Sequence, residues 1–301
     1  MNKVCSRIVT QSLSLILTLL ILFVFSGCYE DQEGCLDIRA TNFDPSADVY
    51  CSDVPVEDCC NYPNLQLQLQ HRVELPDTIY RLVYNDSVYY DAVGQPFRIQ
   101  NIQYYLSNFE LIRADGSILR INETVEIDLN QTGDPELVTF IPDWLLVNAG
   151  ISPVLTIGDF RETGQFDKLR FDVGLYADLN RLNPLDFAAG NPLAVQTDTM
   201  YNFQDGRYYY TKTSFFQDTV ATDTIPRVVT TDINQGTVPV EIDLPNDFNH
   251  LEGFNLLLTL RVDYLSWFSN VDVRNDTEAQ IAEKFVQQLA DAYSLVNIES
   301  N

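Results

Sequence analysis

The two histidines of this sequence are its most specific candidates for metal ligation or general-base chemistry. His71 lies in an alternating apolar and polar segment and shares one face with Leu65, Leu67 and Leu69. The alternative role for His71 is a hydrogen-bonded histidine at the edge of the core. His250 follows a polar run whose composition predicts a solvent-exposed loop.

No enzyme motif accompanies either histidine. The sequence has no Gly-x-Ser-x-Gly nucleophile elbow, no His-Glu-x-x-His pair and no phosphate-binding glycine loop. Spacing alone leaves a glycosidase carboxylate pair open, because acidic residues occur throughout the chain. We therefore expect a protein that is not an enzyme.

Four of the six cysteines fall between residues 35 and 60. In an oxidising compartment such an even set favours two disulfides, in any of three pairings. A four-thiolate metal site is the alternative, although two adjacent cysteines are awkward for tetrahedral ligation. We expect a disulfide-rich tether module over residues 28–63, built on Cys35, Cys51, Cys59 and Cys60.

The amino terminus has the pattern of a secretion signal. Lys3 and Arg7 precede an apolar run over residues 15–25 that is short for a membrane-spanning helix, and Gly27-Cys28 follows closely. The pattern resembles a bacterial lipobox, so we expect a signal peptide over 1–27 and lipid attachment at Cys28. An ordinary signal peptide and a retained anchor are the alternatives.

The residues after Cys28 bear on the location of the protein. Residues 29–33 form an acidic cluster that resembles the surface-export signal of lipoproteins in the Bacteroidota, with an ordinary polar tether as the alternative. We expect an outer membrane lipoprotein, extracytoplasmic and facing either the periplasm or the cell surface.

The net charge limits the possible partners. Loss of the signal peptide removes Lys3 and Arg7 and takes the formal charge from -25 to -27. A field of this sign repels nucleic acid and anionic lipid surfaces. We expect no nucleic-acid partner, and contact with the membrane only through the lipid anchor.

Residues 64–301 have the patterns of a single β-rich domain. Alternation predicts a strand over 65–73, and the Asp115-Gly116 and Asp205-Gly206 turns predict two hairpins. Residues 179–199 are rich in Asn, Pro, Gly and Asp, which predicts a long loop. Further strands are predicted over 168–175, 238–244 and 254–264. The expected fold is mainly β, an antiparallel β-sandwich with long loops.

One helix is predicted near the carboxyl terminus. Asp276 or Thr277 can cap its start, and apolar residues recur every four positions, which is typical of a helix that packs on a core. A partner-binding helix is the alternative. The recurring residues are Ile281, Phe285, Leu289 and Tyr293.

An ordered set of landmarks resembles the MbnP-like family over residues 65–296. The segment 97–109 contains the sequence Tyr-Tyr-Leu-Ser and precedes the Asp115-Gly116 turn. Later landmarks follow in the family's order, and they are residues 168–175, Asn180, 191–193, Met200-Tyr201 and Gly206. The resemblance implies an extracytoplasmic β-rich protein with a role in copper acquisition or handling.

The same resemblance implies where copper would bind. Members that bind copper hold it with two histidines, beside a tryptophan that is oxidised to kynurenine. His71 falls near the first family histidine, and Asp232 falls near the second. Carboxylate is a poor ligand for Cu(I), and residues 202–204 contain no tryptophan. The expected copper ligands are His71, with Asp232 or His250 as the partner.

The alternative function is a surface module that binds a glycan or a protein and has lost the copper site. Strands that contain consecutive tyrosines place one ring inward and the next outward. An outward row of rings can stack on a ligand, whereas cross-strand packing explains the same pattern without one. The tyrosines are Tyr89, Tyr90, Tyr104, Tyr105, Tyr208, Tyr209 and Tyr210.

Overall fold

A computed structural model describes residues 30–130, 133–195, 199–219 and 225–301. The predicted signal peptide and the lipidation site Cys28 lie outside these residues. The chain divides into a small unit, formed by Phe43–Cys60 with the described residues up to Asp37, and a larger unit of Ile38–Asn42 and Asn61–Asn301. Within the described ranges, no helix is long and apolar enough to cross a membrane.

Two disulfides hold the small unit together. Cys35 pairs with Cys60, and Cys51 pairs with Cys59 beside the short helix α1 (Val56–Cys59). The two predicted disulfides are therefore confirmed. All four sulfur atoms are used in these bonds, so the four-thiolate metal site is wrong.

The larger unit consists mainly of strands, with two further α-helices. The strands are β1 (Asn64–Leu75), β2 (Thr78–Arg81), β3 (Tyr89–Tyr90), β4 (Pro96–Ile112), β5 (Ile118–Leu119), β6 (Val125–Asp128), β7 (Leu137–Phe140), β8 (Leu145–Asn148), β9 (Val154–Asp159), β10 (Lys168–Val173), β11 (Tyr201–Asn202), β12 (Arg207–Phe216), β13 (Arg227–Asp232), β14 (Val238–Asp243), β15 (Leu256–Asp263) and β16 (Tyr293–Ser300). The helices are α2 (Tyr264–Trp267) and α3 (Glu278–Gln288), and short 3-10 helices lie at Ala177–Arg181, Pro184–Asp186 and Ala290–Ala292.

Strand β1 organises the first sheet. The strand order is β16-β15-β1-β2, and β9 also pairs with β1. Strand β1 runs parallel to β15 and antiparallel to β2 and β9. Along most of its length, every second side chain of β1 is buried, as its alternating sequence predicts. The sheet is thus mainly antiparallel, with one parallel pair at its centre.

The long strand β4 organises the second sheet. The described strands follow the order β11-β12-β4-β10-β14, with β13 on β12 and with β3, β5 and β8 on β4. Strands β6 and β7 form a separate pair. The predicted hairpins are confirmed, since β4 pairs with β5 across Gly116 and β11 pairs with β12 across Gly206. Both glycines have positive φ angles, which the tight turns require.

The main core lies between the two sheets. Leu65, Leu67 and Leu69 of β1 pack in one buried cluster with Phe97 and Ile99 of β4. Helix α3 adds Ile281 and Phe285 to the same cluster, which confirms the predicted core-facing side of this helix.

A second core covers the other face of the β4 sheet. Tyr105, Tyr208 and Tyr210 are buried there against Leu179 and Leu193 from the predicted loop. The alternative in which an outward row of tyrosine rings is open to a ligand is therefore wrong for these three residues. The loop covers them, and its polar composition did not indicate that it contributes apolar side chains to a core.

Helix α3 begins as predicted and ends earlier than predicted. Thr277 and Gln280 form a reciprocal capping box at its start. The helix ends at Gln288, and Tyr293 begins strand β16, paired with Val262 of β15. The four-residue repeat therefore fails at Tyr293, because pairing with β15 satisfies its backbone groups.

Candidate functional site

His71 lies inside the core on strand β1 and has a partner on each ring nitrogen. It is only 4% exposed. Its Nε2 atom lies 2.7 Å from the carbonyl oxygen of Ile151, and its Nδ1 atom lies 2.7 Å from the hydroxyl of Tyr264. Because a carbonyl only accepts, Nε2 carries the proton and Nδ1 accepts from Tyr264.

This hydrogen-bond chain continues to a second tyrosine. The hydroxyls of Tyr104 and Tyr264 lie 3.0 Å apart. Since Tyr264 donates to His71, Tyr104 donates to Tyr264. Burial raises the pKa of both tyrosines well above the ordinary value, so both stay neutral. The chain runs from Tyr104 through Tyr264 and His71 to Ile151.

Two sets of neighbouring contacts hold this hydrogen-bond chain in place. The carboxylate of Asp263 accepts from the backbone N–H groups of Glu74 and Leu265, each at 3.0 Å, which ties the start of helix α2 to strand β1. The turn after β8 places the Ile151 carbonyl, since the Ile151 N–H donates to the Asn148 carbonyl at 3.2 Å. His71 was predicted from the sequence, but its partners Tyr264 and Ile151, and Tyr104 beyond Tyr264, were not.

Burial keeps the His71 imidazole neutral. Its pKa is lowered from 6.5 to about 4, mainly by desolvation and also by the positive charges of Arg72 and Arg81. The hydrogen bond to Ile151 raises the pKa and only partly offsets these effects. The ring is therefore neutral at pH 7.

Asp232 lies elsewhere, at the end of strand β13 in the other sheet. Its carboxylate accepts from the backbone N–H of Asn234 at 2.8 Å and lies 3.6 Å from the Arg207 guanidinium. These contacts belong to the turn after β13 and to the neighbouring strand β12.

His250 is buried, so its prediction as a solvent-exposed loop residue is wrong. It is 2% exposed, and its Nδ1 atom lies 2.8 Å from the Ser300 hydroxyl. Two backbone hydrogen bonds join it to Gly164, and its ring lies beside Phe160 and Phe166. Burial lowers its pKa to about 4. The polar sequence around it carries no sign of these distant contacts.

The three residues predicted as metal ligands do not form one ligand set. No hydrogen bond joins any two of them in the described part of the chain, and each has partners of its own. Across the described ranges, no group of three His, Cys, Asp or Glu side chains is placed to hold a metal ion. A cavity of about 70 Å³ beside His71 adds Asn148 and Ser152, whose oxygen atoms suit harder ions than Cu(I). These residues do not fit a copper(I) site.

A larger concavity opens beyond His71 along strand β1. We call it the Tyr80 hollow; it has a volume of about 450 Å³. It was not predicted from the sequence, because the exposure of the apolar residues of β2 and of the following segment depends on the tertiary structure. It is lined by Val73, Leu75, Tyr80, Arg81, Val83, Ser87, Val88, Tyr89, Tyr90 and Leu265.

Tyr89 braces one wall of the hollow. Its hydroxyl donates to the Val83 carbonyl at 2.8 Å and accepts from the Val83 N–H at 2.9 Å. Its ring lies 6.0 Å from that of Phe97, centroid to centroid. The next residue, Tyr90, is 64% exposed. Of the consecutive tyrosines, this pair therefore places one ring in the core and one at the surface.

Comparison with known proteins places the chain in a family. Among solved structures, MbnP from Methylosinus trichosporium is similar at 13% identity with a TM-score of 0.40, covering 69% of this chain and 78% of that chain. No curated protein matches the chain. The model of the MbnP family matches residues 62–284, which is well over half of the sequence. The chain therefore belongs to the MbnP family.

Proposed function

We propose that this protein is an extracytoplasmic, lipid-anchored binding protein that keeps the MbnP scaffold and binds a ligand other than copper. It has no catalytic role in this proposal, and a protein or glycan surface partner is compatible with it. The signal pattern before Cys28 and the two disulfides support an oxidising location outside the cytoplasm.

The state of His71 carries this proposal. Metal ligation requires a free lone pair on a ring nitrogen. In His71 the Nδ1 lone pair accepts from Tyr264, and Nε2 bears the proton that is donated to Ile151. Copper would have to break one of two 2.7 Å hydrogen bonds inside the core. Among the described residues that line the adjoining cavity, His71 is the one His, Cys or Met side chain.

Copper remains the competing candidate, because the chain belongs to the MbnP family and His71 falls near the first family histidine. A titration with Cu(I) separates the two. The protein starting after Cys28 should be titrated under conditions that keep Cu(I) reduced and the disulfides intact, beside His71→Gln and His250→Gln. We expect no tight one-equivalent binding in the parent protein. Tight binding that His71→Gln abolishes and His250→Gln retains would overturn the proposal.

The anchor needs its own experiment, since it rests on sequence alone. Cells expressing the full chain should be labelled with a radioactive fatty acid, beside a Cys28→Ala variant. We expect the label on the parent chain and none on the variant, with the parent found in the membrane fraction. An unlabelled parent chain would overturn the proposed lipid attachment and would not bear on whether the protein binds copper.

A further inference from the structure

The Tyr80 hollow has the size and the lining of a small-molecule site. Its volume of about 450 Å³ lies within the roughly 300 to 1,000 Å³ of typical ligand sites. Leu75, Val83 and Val88 supply aliphatic surface, and Tyr80 and Tyr90 supply aromatic rings. All five side chains are at least 40% exposed, so this apolar surface is open to a ligand.

The exposed apolar side chains of the hollow are grouped around one concavity and are not scattered singly over the surface. Grouped apolar patches on a protein surface are the ones that mark interaction sites. Strand β2 forms one side of the hollow, and each of its four residues is exposed. In the described sheet β2 pairs with β1 alone, so its outer side is uncovered by another strand.

The charge at the hollow is positive, against the sign of the whole protein. Arg81 is its one charged lining residue. None of the described carboxylates forms an ion pair with Arg81. Other arginines of the protein do have a carboxylate partner, namely Arg113, Arg120, Arg161 and Arg170. A guanidinium that is exposed beside an apolar surface favours an anionic group on the ligand.

We propose that the Tyr80 hollow binds a small apolar molecule that carries one anionic group, such as a carboxylate or a sulfonate. The apolar body packs on Tyr80, Tyr90 and Val88, and the anion pairs with Arg81. This inference rests on the proposed binding function and names the chemical class of its ligand.

Two fluorescent probes of the same shape test the proposal. 8-Anilinonaphthalene-1-sulfonate carries a sulfonate, and N-phenyl-1-naphthylamine has the same aromatic body without it. Each is titrated into the disulfide-bonded protein that starts after Cys28. We expect one site for each probe, with the sulfonate binding about tenfold more tightly, because a hydrogen bond to a charged group is worth about one such factor.

Two variants separate the apolar contact from the charge. Arg81→Gln should lower the affinity for the sulfonate probe about tenfold and leave the affinity for the uncharged probe unchanged. Tyr90→Asp should lower the affinity for both probes by a similar factor or more, since it places a carboxylate among the apolar side chains. Arg274→Gln and Phe203→Asp are the matched controls, because both residues are exposed and outside the hollow. All four variants should keep the parent melting temperature.

The outcomes are distinct. If Tyr90→Asp leaves binding intact, the probes do not bind in the Tyr80 hollow and the proposed site is overturned. Equal affinity of the two probes would overturn the proposal that the ligand carries an anionic group. The same holds if Arg81→Gln leaves the advantage of the sulfonate probe in place. The copper titration does not involve the hollow, so failure here and failure of the proposed function are observed separately.

Discussion

The Tyr264 hydroxyl donates a hydrogen bond to Nδ1 of His71 over 2.7 Å, joining residues 193 positions apart. The two rings also stack, with centroids 5.7 Å apart. This contact connects strand β1 to the helix that follows β15 and occupies the lone pair that a metal would need. The contact thus holds the His71 ring in the core between β1 and this helix.

Removal of the Tyr264 hydroxyl should destabilise the protein. Tyr264→Phe leaves a buried acceptor on His71 and removes the acceptor of the Tyr104 hydroxyl, which costs about 1 to 3 kcal/mol. Urea unfolding followed by fluorescence measures this free energy. Tyr90→Phe is the control, because Tyr90 is largely exposed, and it should change little. Equal effects of the two substitutions would contradict the hydrogen-bond chain.

Burial of neutral His71 should make stability depend on pH in a defined window. The folded pKa of about 4 lies below the ordinary value of 6.5, so the unfolded chain binds a proton first as pH falls. The stabilisation is complete above pH 6.5 and declines toward pH 4. Relative to His71→Gln, the parent should lose roughly 2 to 3 kcal/mol between pH 7 and pH 4. Parallel pH profiles of the two proteins would rule out the buried neutral ring.

The buried carboxylate of Glu110 should contribute more to stability than a surface ion pair. Glu110 accepts from the Nε atoms of Arg120 at 2.9 Å and Arg170 at 2.6 Å. Glu110→Gln leaves both half-exposed arginines without their carboxylate and should cost about 1 to 3 kcal/mol in the free energy of unfolding. Glu241→Gln, which removes one of the two exposed carboxylate partners of Lys168, should cost less than about 1 kcal/mol. Urea unfolding of both variants makes the comparison, and the reverse order would be evidence against a stabilising role of Glu110.

The two disulfides should differ in how strongly they protect the small unit. Cys35 and Cys60 are 25 residues apart, whereas Cys51 and Cys59 are 8 apart. Closure of the longer loop removes more unfolded-state entropy, by about 1 kcal/mol in the chain-entropy account. The double substitution Cys35→Ser with Cys60→Ser should therefore speed proteolysis between residues 30 and 60 more than Cys51→Ser with Cys59→Ser. Mass spectrometry of the fragments gives the rates; similar rates would contradict this order.

Local patterns predicted many elements correctly. The alternation in β1, the Asp-Gly turns at Gly116 and Gly206, and the capping residue Thr277 act over a few neighbouring positions, so the sequence displays them directly. The order of landmarks also indicated the MbnP family, which the family model confirms over residues 62–284.

Contacts between distant segments account for the errors. Tyr293 continues the helical repeat in sequence, but pairing with Val262 makes it part of a strand. His250 lies in a polar run, but its backbone bonds to Gly164 and its contact with Ser300 bury it. None of these three partners is near in sequence, and tertiary pairing outweighs a local preference of this size.

By itself the sequence determined the alternating strands, the turns, the cysteine-rich module and the identity of the two histidines, because each depends on residue type and short spacing. Only the tertiary structure decided what the histidines do and where a ligand can enter. The protonation and bonding of His71 depend on Tyr264 and Ile151, which the sheet brings to it from far along the chain. The Tyr80 hollow likewise exists only because β1, β2, the segment 83–90 and helix α2 meet around one space.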